Sequence, residues 1–129
     1  MPSRQQQRGL WAQQRAKTHL VERGLRLIAE NVGYRCGELD LIMADAATLV
    51  FVEVRWRKTR QFGGALASVT RIKRQRLIRA AQRHLQTLRL RSLQSPGVRF
   101  DVVAVEPDGL VWVQNAFGLD HDFNRIRSL

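Results

Sequence analysis

The alternation of hydrophobic and polar residues predicts two long helices and five strands. Residues 3 to 23 repeat with helical spacing, and Ser3 and Gly24 stand where an N-cap and a C-terminal stop are expected. Residues 25 to 31 predict a first strand, and residues 68 to 91 a second helix. Near the end of the chain, VRFDVVAV and LVWVQNA flank the turn signal PDG and predict a hairpin.

Residues 37 to 57, GELDLIMADAATLVFVEVRWR, predict another hairpin, in which each strand alternates with period two. Glu38, Asp40 and Ile42 share one face of its first strand. In its second strand, one face carries Val50, Val52, Val54 and Trp56, and the other carries Leu49, Phe51, Glu53, Arg55 and Arg57. We therefore expect the second strand to bury an aliphatic face and to carry charge on the opposite face.

A turn over residues 45 to 48 pairs Asp40 with Glu53 across this hairpin. Opposed residues of antiparallel strands have Cβ atoms roughly 4.5 to 5.5 Å apart, so the two carboxylates repel unless a cation, a proton or nearby Arg residues neutralise them. A hard cation such as Mg²⁺ suits this pair, and Arg55 lies on the same face. A metal-assisted phosphodiester site is one interpretation. An edge hairpin with ordinary solvated charges is the other.

A long helix between the third and fourth strands favours parallel pairing of those two strands. The predicted fold is α/β, a mixed sheet flanked by helices in the order αβββαββ. The length of 129 residues fits one domain, which we place at residues 1 to 117, followed by a tail at 118 to 129.

The formal net charge of +11 is concentrated in one segment, because residues 54 to 98 contain no Asp or Glu. Clustered Lys and Arg favour a nucleic acid as partner over an anionic membrane surface or an acidic protein. The candidate nucleic-acid-binding residues are Arg57, Lys58, Arg60, Arg71, Arg74, Arg79 and Arg83. The chain has no apolar run long enough to span a membrane and no signal peptide, so we expect a cytoplasmic protein without a membrane partner.

The run GELDLI, then FVEVR, a basic helix that starts with a Lys, and RFDVV resembles the YraN-like proteins, bacterial relatives of archaeal Holliday-junction resolvases. The resemblance covers roughly residues 9 to 117. It implies a restriction-endonuclease-like fold, with Asp40 and Glu53 as ligands of Mg²⁺ or Mn²⁺ and Arg55 as the basic residue of the catalytic site. The backbone carbonyl of Val54 completes the expected ligand set.

Two residues depart from the nuclease pattern. Gln13 stands where related nucleases often have a Glu, and Arg55 stands where they have a Lys. Arg cannot serve as a general base, although it can position water or stabilise charge on a phosphate. For Gln13, a buried amide bonded to the backbone is favoured over a place beside a metal ion.

Three residues are accessory candidates for the site: Gln13, Glu38 and Lys73. Lys73 points inward at the start of the second long helix, where it either binds a phosphate or extends its amine to solvent. Asp101 either extends the acidic cluster or, as we favour, pairs with an Arg.

The expected function is a metal-dependent endonuclease acting on DNA, including branched or otherwise structured DNA. The alternative is a nucleic-acid-binding protein that keeps the nuclease fold without turnover. A homodimer is compatible with either function.

Overall fold

The structure is a computed structural model and describes residues 1–58, 64–89 and 97–118. The helices are α1 (Arg4–Glu22), α2 (Gly64–Ala67) and α3 (Arg71–Arg89). The strands are β1 (Arg26–Tyr34), β2 (Gly37–Asp45), β3 (Thr48–Trp56), β4 (Gly97–Glu106) and β5 (Gly109–Phe117). The predicted order is confirmed, with the single-turn α2 added between β3 and α3. Arg60 and the tail from 119 onward lie outside the described residues.

Helix α1 begins and ends where its sequence predicts. The Ser3 hydroxyl accepts the backbone N–H of Gln6, and the Gln6 side chain accepts the backbone N–H of Ser3, which makes a reciprocal capping box. At the other end Gly24 has a φ of +97°, a left-handed conformation that glycine adopts without steric cost. The helix therefore stops at Glu22, and the chain turns into β1.

The five strands form one mixed sheet in the order β1-β2-β3-β4-β5. Strands β3 and β4 are parallel, and the other neighbouring pairs are antiparallel. Helix α3 lies between β3 and β4 in the chain, so the prediction of a crossover helix joining parallel strands is confirmed. None of the helices in the described part of the chain is long and apolar enough to cross a membrane.

Helices cover both faces of the sheet, and each face has its own hydrophobic cluster. On one face Ala12, Ala16 and Leu20 of α1 pack with the aliphatic row of β3. On the other face the apolar side of α3 packs over Leu49 and Phe51. The expectation of one apolar and one charged face on β3 is therefore wrong for its first half. The charged residues of this face begin at Glu53. The two residues before it on the same face, Leu49 and Phe51, are buried under α3.

A close contact sets the distance between α3 and the start of β2. A Cβ atom added to Gly37 would lie 2.9 Å from the backbone carbonyl oxygen of Arg76, which is closer than real Cβ atoms approach. Glycine at this position therefore lets the helix lie against the strand. This contact brings the first turns of α3 to the end of the sheet where β2 begins.

The predicted hairpin register is confirmed. Ile42 pairs with Phe51 and Ala44 with Leu49, and the β2–β3 ladder ends at the pair Leu41–Val52. Asp40 and Glu53 come next along the two strands. The two carboxylates therefore lie just beyond the last paired residues of this ladder.

Asp101 is fully buried, and its carboxylate is satisfied by donors from two strands. Arg99 donates to both of its oxygens, at 2.9 and 3.0 Å, and the Trp112 indole N–H and the Asn115 backbone N–H each donate at 2.9 Å. The Arg99 guanidinium also pairs with Asp45 at 3.0 Å. The favoured structural role of Asp101, pairing with an Arg, is confirmed.

Candidate active site

Two carboxyl groups meet at the end of the β2–β3 ladder. Glu53 is only 3% exposed, and the Asp40 carboxyl group is near enough for its charge to raise the pKa of Glu53. Asp40 Oδ2 accepts the backbone N–H of Val54 at 2.9 Å. A side chain thus satisfies the backbone amide just after Glu53, and this bond holds the Asp40 carboxylate against β3.

The surroundings of this pair favour its protonated forms. Burial raises the pKa of Glu53 to about 7, with a further upward contribution from the charge of Asp40, while Lys73 acts in the opposite direction. Burial also raises the pKa of Asp40, although the Val54 N–H bond opposes the shift. Near neutral pH the pair is therefore poised between sharing a proton and carrying two charges that require a cation.

Helix α3 supplies one cation to the pair. Lys73 Nζ lies 3.0 Å from Glu53 Oε1, and the Lys73 side chain is 43% exposed. The Thr70 hydroxyl accepts the Lys73 backbone N–H at 3.2 Å and so caps the helix just before this residue. Lys73 does reach the acidic pair, as its inward position indicated. Its ammonium contacts Glu53 while remaining open to solvent.

Arg55 and Glu38 complete the surroundings of the two acids. Arg55 lies two residues after Glu53 on the same strand, and its Nε is buried without an acceptor in the described part of the chain. A buried guanidinium nitrogen without an acceptor suits an anionic oxygen brought by a ligand. Glu38 is exposed, and its charge contributes to the raised pKa of Asp40.

The donor set fits a hard divalent cation with few protein ligands. Mg²⁺ is commonly held by one or two carboxylates, with water and substrate phosphate completing its coordination. Asp40 and Glu53 supply two adjoining carboxylates whose repulsion a cation would relieve. Within residues 1–58, 64–89 and 97–118, no group of three His, Cys, Asp or Glu side chains comes together that would hold a metal by itself. Any metal bound here would therefore keep several positions for water or substrate.

Residues 12–105 match a family described as "Uncharacterised protein family UPF0102". The chain belongs to this family. It is 52% identical over 122 residues to a UPF0102 protein of Cupriavidus taiwanensis, a match that covers 92% of this chain and 88% of the relative. It is also 52% identical over 120 residues to a UPF0102 protein of Pseudomonas fluorescens, which covers 91% and 98% of the two chains.

A UPF0102 protein of Xanthomonas campestris is 48% identical over 122 residues, covering 93% of this chain and 98% of the relative. These matches confirm the resemblance to the YraN-like proteins. The names of these three UPF0102 relatives state no activity.

The predicted basic residues of this UPF0102 chain fall into two groups. Lys58, Arg71, Arg79 and Arg83 are exposed. Arg57 and Arg74 are half-buried and make structural contacts. Arg57 donates to the Gly64 carbonyl at 3.3 Å, and Arg74 donates to the Val69 carbonyl at 3.0 Å and lies 5.7 Å from the centre of the Phe117 ring. Three of the four exposed residues, Arg71, Arg79 and Arg83, therefore belong to α3.

Gln13 is held elsewhere. It is half-buried, and its amide donates to Glu30 Oε2 at 3.2 Å, while Lys17 pairs with the other oxygen of Glu30 at 2.9 Å. The expectation of a buried amide bonded to the backbone is wrong, because the carboxylate on β1 is the nearer acceptor. No local sequence pattern indicates that Gln13 bonds to Glu30, since the position of Glu30 beside α1 depends on how the helix crosses the sheet.

Proposed function

We propose that this protein is a divalent-metal-dependent endonuclease that hydrolyses phosphodiester bonds in DNA. The observation that carries the proposal is the pair formed by the half-buried Asp40 and the buried Glu53. Burying two adjoining carboxylates is costly, and a purely structural site would more readily neutralise them with fixed ion pairs on every side. In this pair Glu53 instead contacts the Lys73 ammonium, whose side chain is 43% exposed, and Asp40 accepts a backbone N–H.

The residues around the pair have distinct tasks in the proposed reaction. Asp40 and Glu53 would hold Mg²⁺ or Mn²⁺, and the Val54 N–H bond keeps Asp40 oriented for this. The metal ion, when bound, activates water and neutralises charge on the phosphate. The Arg55 guanidinium is placed to donate to a phosphate oxygen, and it cannot act as a base because it stays protonated.

Lys73 supplies the compact ammonium that the nuclease pattern usually places at position 55. In the structure it pairs with the Glu53 carboxylate and so opposes protonation of that group. Its partial exposure allows it to move to a phosphate oxygen, where it would stabilise the added negative charge of the transition state. The departure at Arg55 is therefore compensated by a residue from a different element.

The basic outer face of α3 supports DNA as the substrate. Arg71, Arg79 and Arg83 are exposed on the same helix whose Lys73 reaches the acidic pair. A phosphate backbone bound along this helix would pass close to the two acids. Binding and chemistry would thus share one element.

A second function, binding without turnover, is favoured by the small number of acidic ligands. Gln13 adds no charge to the site and is engaged with Glu30. A nuclease fold with two acids can lose catalysis and keep its basic surface. Cleavage assays separate the two functions.

The test is cleavage of labelled DNA by the full chain with Mg²⁺, with Mn²⁺ and with a chelator. The substrates are a four-way junction, a flap, a single strand and a duplex. We expect metal-dependent cleavage of at least one substrate, and its loss in Asp40→Asn and Glu53→Gln. Asp45→Asn is the matched control, since Asp45 belongs to the same hairpin but pairs with Arg99. Salt-sensitive binding without cleavage of any substrate would favour the binding protein.

A further inference from the structure

One flank of α1 carries a row of basic and aromatic residues that the proposed active site does not use. The row consists of Arg4, Arg8, Trp11 and Arg15, which we call the α1 stripe. Its members are spaced by four, three and four residues, so they share one side of the helix. All four are exposed, and Trp11 exposes 41% of its surface. No acidic residue precedes Glu22 in the chain.

The α1 stripe lies at the same end of the sheet as the acidic pair. The Trp11 ring packs edge-on against Trp56, with centroids 5.4 Å apart and planes at 77°. Trp56 is the last residue of β3, three residues after Glu53. A strand rises about 3.3 Å per residue, so Trp56 stands roughly 10 Å beyond Glu53 along the strand. Trp56 packs on the face of the sheet that α1 covers, whereas Glu53 points to the face that α3 covers. A nucleic acid would therefore contact both the stripe and the acids by passing around this end of the sheet.

The surface around Trp11 has the features of a base-stacking platform. The Arg15 guanidinium lies over the Trp11 ring, 5.2 Å from its centroid. Indole and guanidinium planes both accept a stacked nucleobase. From Trp11 a groove of about 360 Å³ runs along α1 beside Leu110, with Glu22 at its far end. The basic half of this groove is the half nearest the acidic pair.

We propose that the α1 stripe binds an unpaired segment of the nucleic acid, with a base stacked on Trp11 and phosphates on Arg8 and Arg15. This inference rests on the proposed function and deepens it, since it makes the substrate a DNA with a single-stranded segment beside the scissile bond. Duplex DNA keeps its bases stacked inside the helix. An exposed indole beside basic residues gains most from a strand whose bases are free.

A lipid surface suits the α1 stripe less well. A helix that lies in a membrane interface needs a wide apolar face for the acyl region. The apolar face of α1, formed by Ala12, Ala16 and Leu20, is buried against the sheet. What remains outside is polar and basic, apart from Trp11 and a few isolated apolar side chains. Charge and one aromatic ring match a nucleic acid strand better than they match a bilayer.

The test measures binding by fluorescence anisotropy, with the full protein in chelator so that no strand is cut. The probes are a single strand, an abasic single strand of the same length, and a blunt duplex. We expect Trp11→Ala to weaken single-strand binding about tenfold and to change the other two within about twofold. Trp11→Phe should keep most of the affinity. Leu10→Ala, which removes an exposed apolar side chain at the preceding position, should change none.

The same measurements separate this inference from the nuclease proposal. Asp45→Asn, at a residue that pairs with Arg99 outside both sites, should bind the single strand as the native protein does. Binding that depends on Trp11 and on the bases, without cleavage of any substrate, would support the proposed role of the α1 stripe and refute the nuclease proposal. If Trp11→Ala weakens binding of the abasic strand as much as that of the normal strand, or weakens neither, base stacking on the α1 stripe is refuted. Trp11-dependent binding to anionic vesicles without single-strand binding would assign the surface to lipid and overturn it as well.

Discussion

Lys73 Nζ lies 3.0 Å from Glu53 Oε1, and this ion pair joins the basic helix α3 to the acidic end of β3. The two partners differ in exposure, since Glu53 is 3% and Lys73 is 43% exposed. Glu53 is therefore fixed, while Lys73 is able to exchange its partner for a phosphate. The pair connects the surface proposed to bind nucleic acid with the residues proposed to hydrolyse it.

The folded protein should lose stability as pH rises because of Glu53. In the unfolded chain this carboxyl ionises near 4.5, whereas in the folded protein its pKa is raised to about 7. Between these values the folded state binds more protons, so its free energy of unfolding falls with pH, by on the order of 3 kcal/mol from this group. Urea unfolding from pH 5 to 8 measures the slope. Glu53→Gln should flatten it, and Glu38→Gln, at an exposed acid, should not.

Substituting Lys73 should shift this pH dependence. The ammonium lowers the pKa of Glu53, so Lys73→Met should raise that pKa above its present value of about 7. The loss of stability would then occur at higher pH. Lys73→Arg keeps the charge and should leave the unfolding curve near that of the native protein. Identical curves for Lys73→Met and the native chain would show that the ion pair does not control the protonation of Glu53.

Divalent cations should stabilise the native protein. A ligand that binds only the folded state adds about 2.7 kcal/mol when present at 100 times its dissociation constant. We expect thermal unfolding to move upward with Mg²⁺ or Mn²⁺, and Asp40→Asn and Glu53→Gln to remove the shift. Both variants should also be more stable than the native protein without metal at pH 8, because each removes a repelling charge. A lower metal-free stability in both would identify the acids as structural partners of basic residues.

Charge reversal on the outer face of α3 should weaken DNA binding without unfolding the chain. Arg79 and Arg83 are both exposed, so Arg79→Glu with Arg83→Glu should preserve the fold. The logarithm of affinity should depend less steeply on the logarithm of salt concentration, by about 0.9 for each phosphate that the variant no longer neutralises. The control is Gln86→Glu on the same helix, which adds an acid without removing an Arg. A native salt slope near zero would refute nucleic-acid binding.

Asp101→Asn should destabilise the protein without touching the proposed site. The substitution removes the charge that Arg99 pairs with inside the protein and leaves fewer acceptors for Trp112 and Asn115. Breaking a buried pair in this way costs about 3 to 5 kcal/mol. Asp45, the other partner of Arg99, is 43% exposed. Asp45→Asn should therefore lower the free energy of unfolding by about 1 kcal/mol or less. Similar losses in urea unfolding for both variants would contradict the distinction.

The order of elements, the ends of α1 and the register of the β2–β3 hairpin follow from the sequence alone. These features depend on local periodicity, on capping residues such as Ser3 and Gly24, and on the length of a turn. Because they are local, they also placed Asp40 opposite Glu53 and marked Lys73 as an inward cation. The candidate acids were therefore predictable from the local pattern of residues alone.

The residues that surround those acids depend on the tertiary packing. The way α1 and α3 lie across the sheet determines whether Phe51 is buried or exposed and which acid Lys73 contacts. It also determines whether the Gln13 side chain lies beside the acidic pair or bonds to Glu30. Charge and periodicity say that a helix has a buried side, but they do not say which strand residues it covers. Those partners are distant in sequence and are chosen by the packing of the whole sheet, which a single sequence read locally does not reveal.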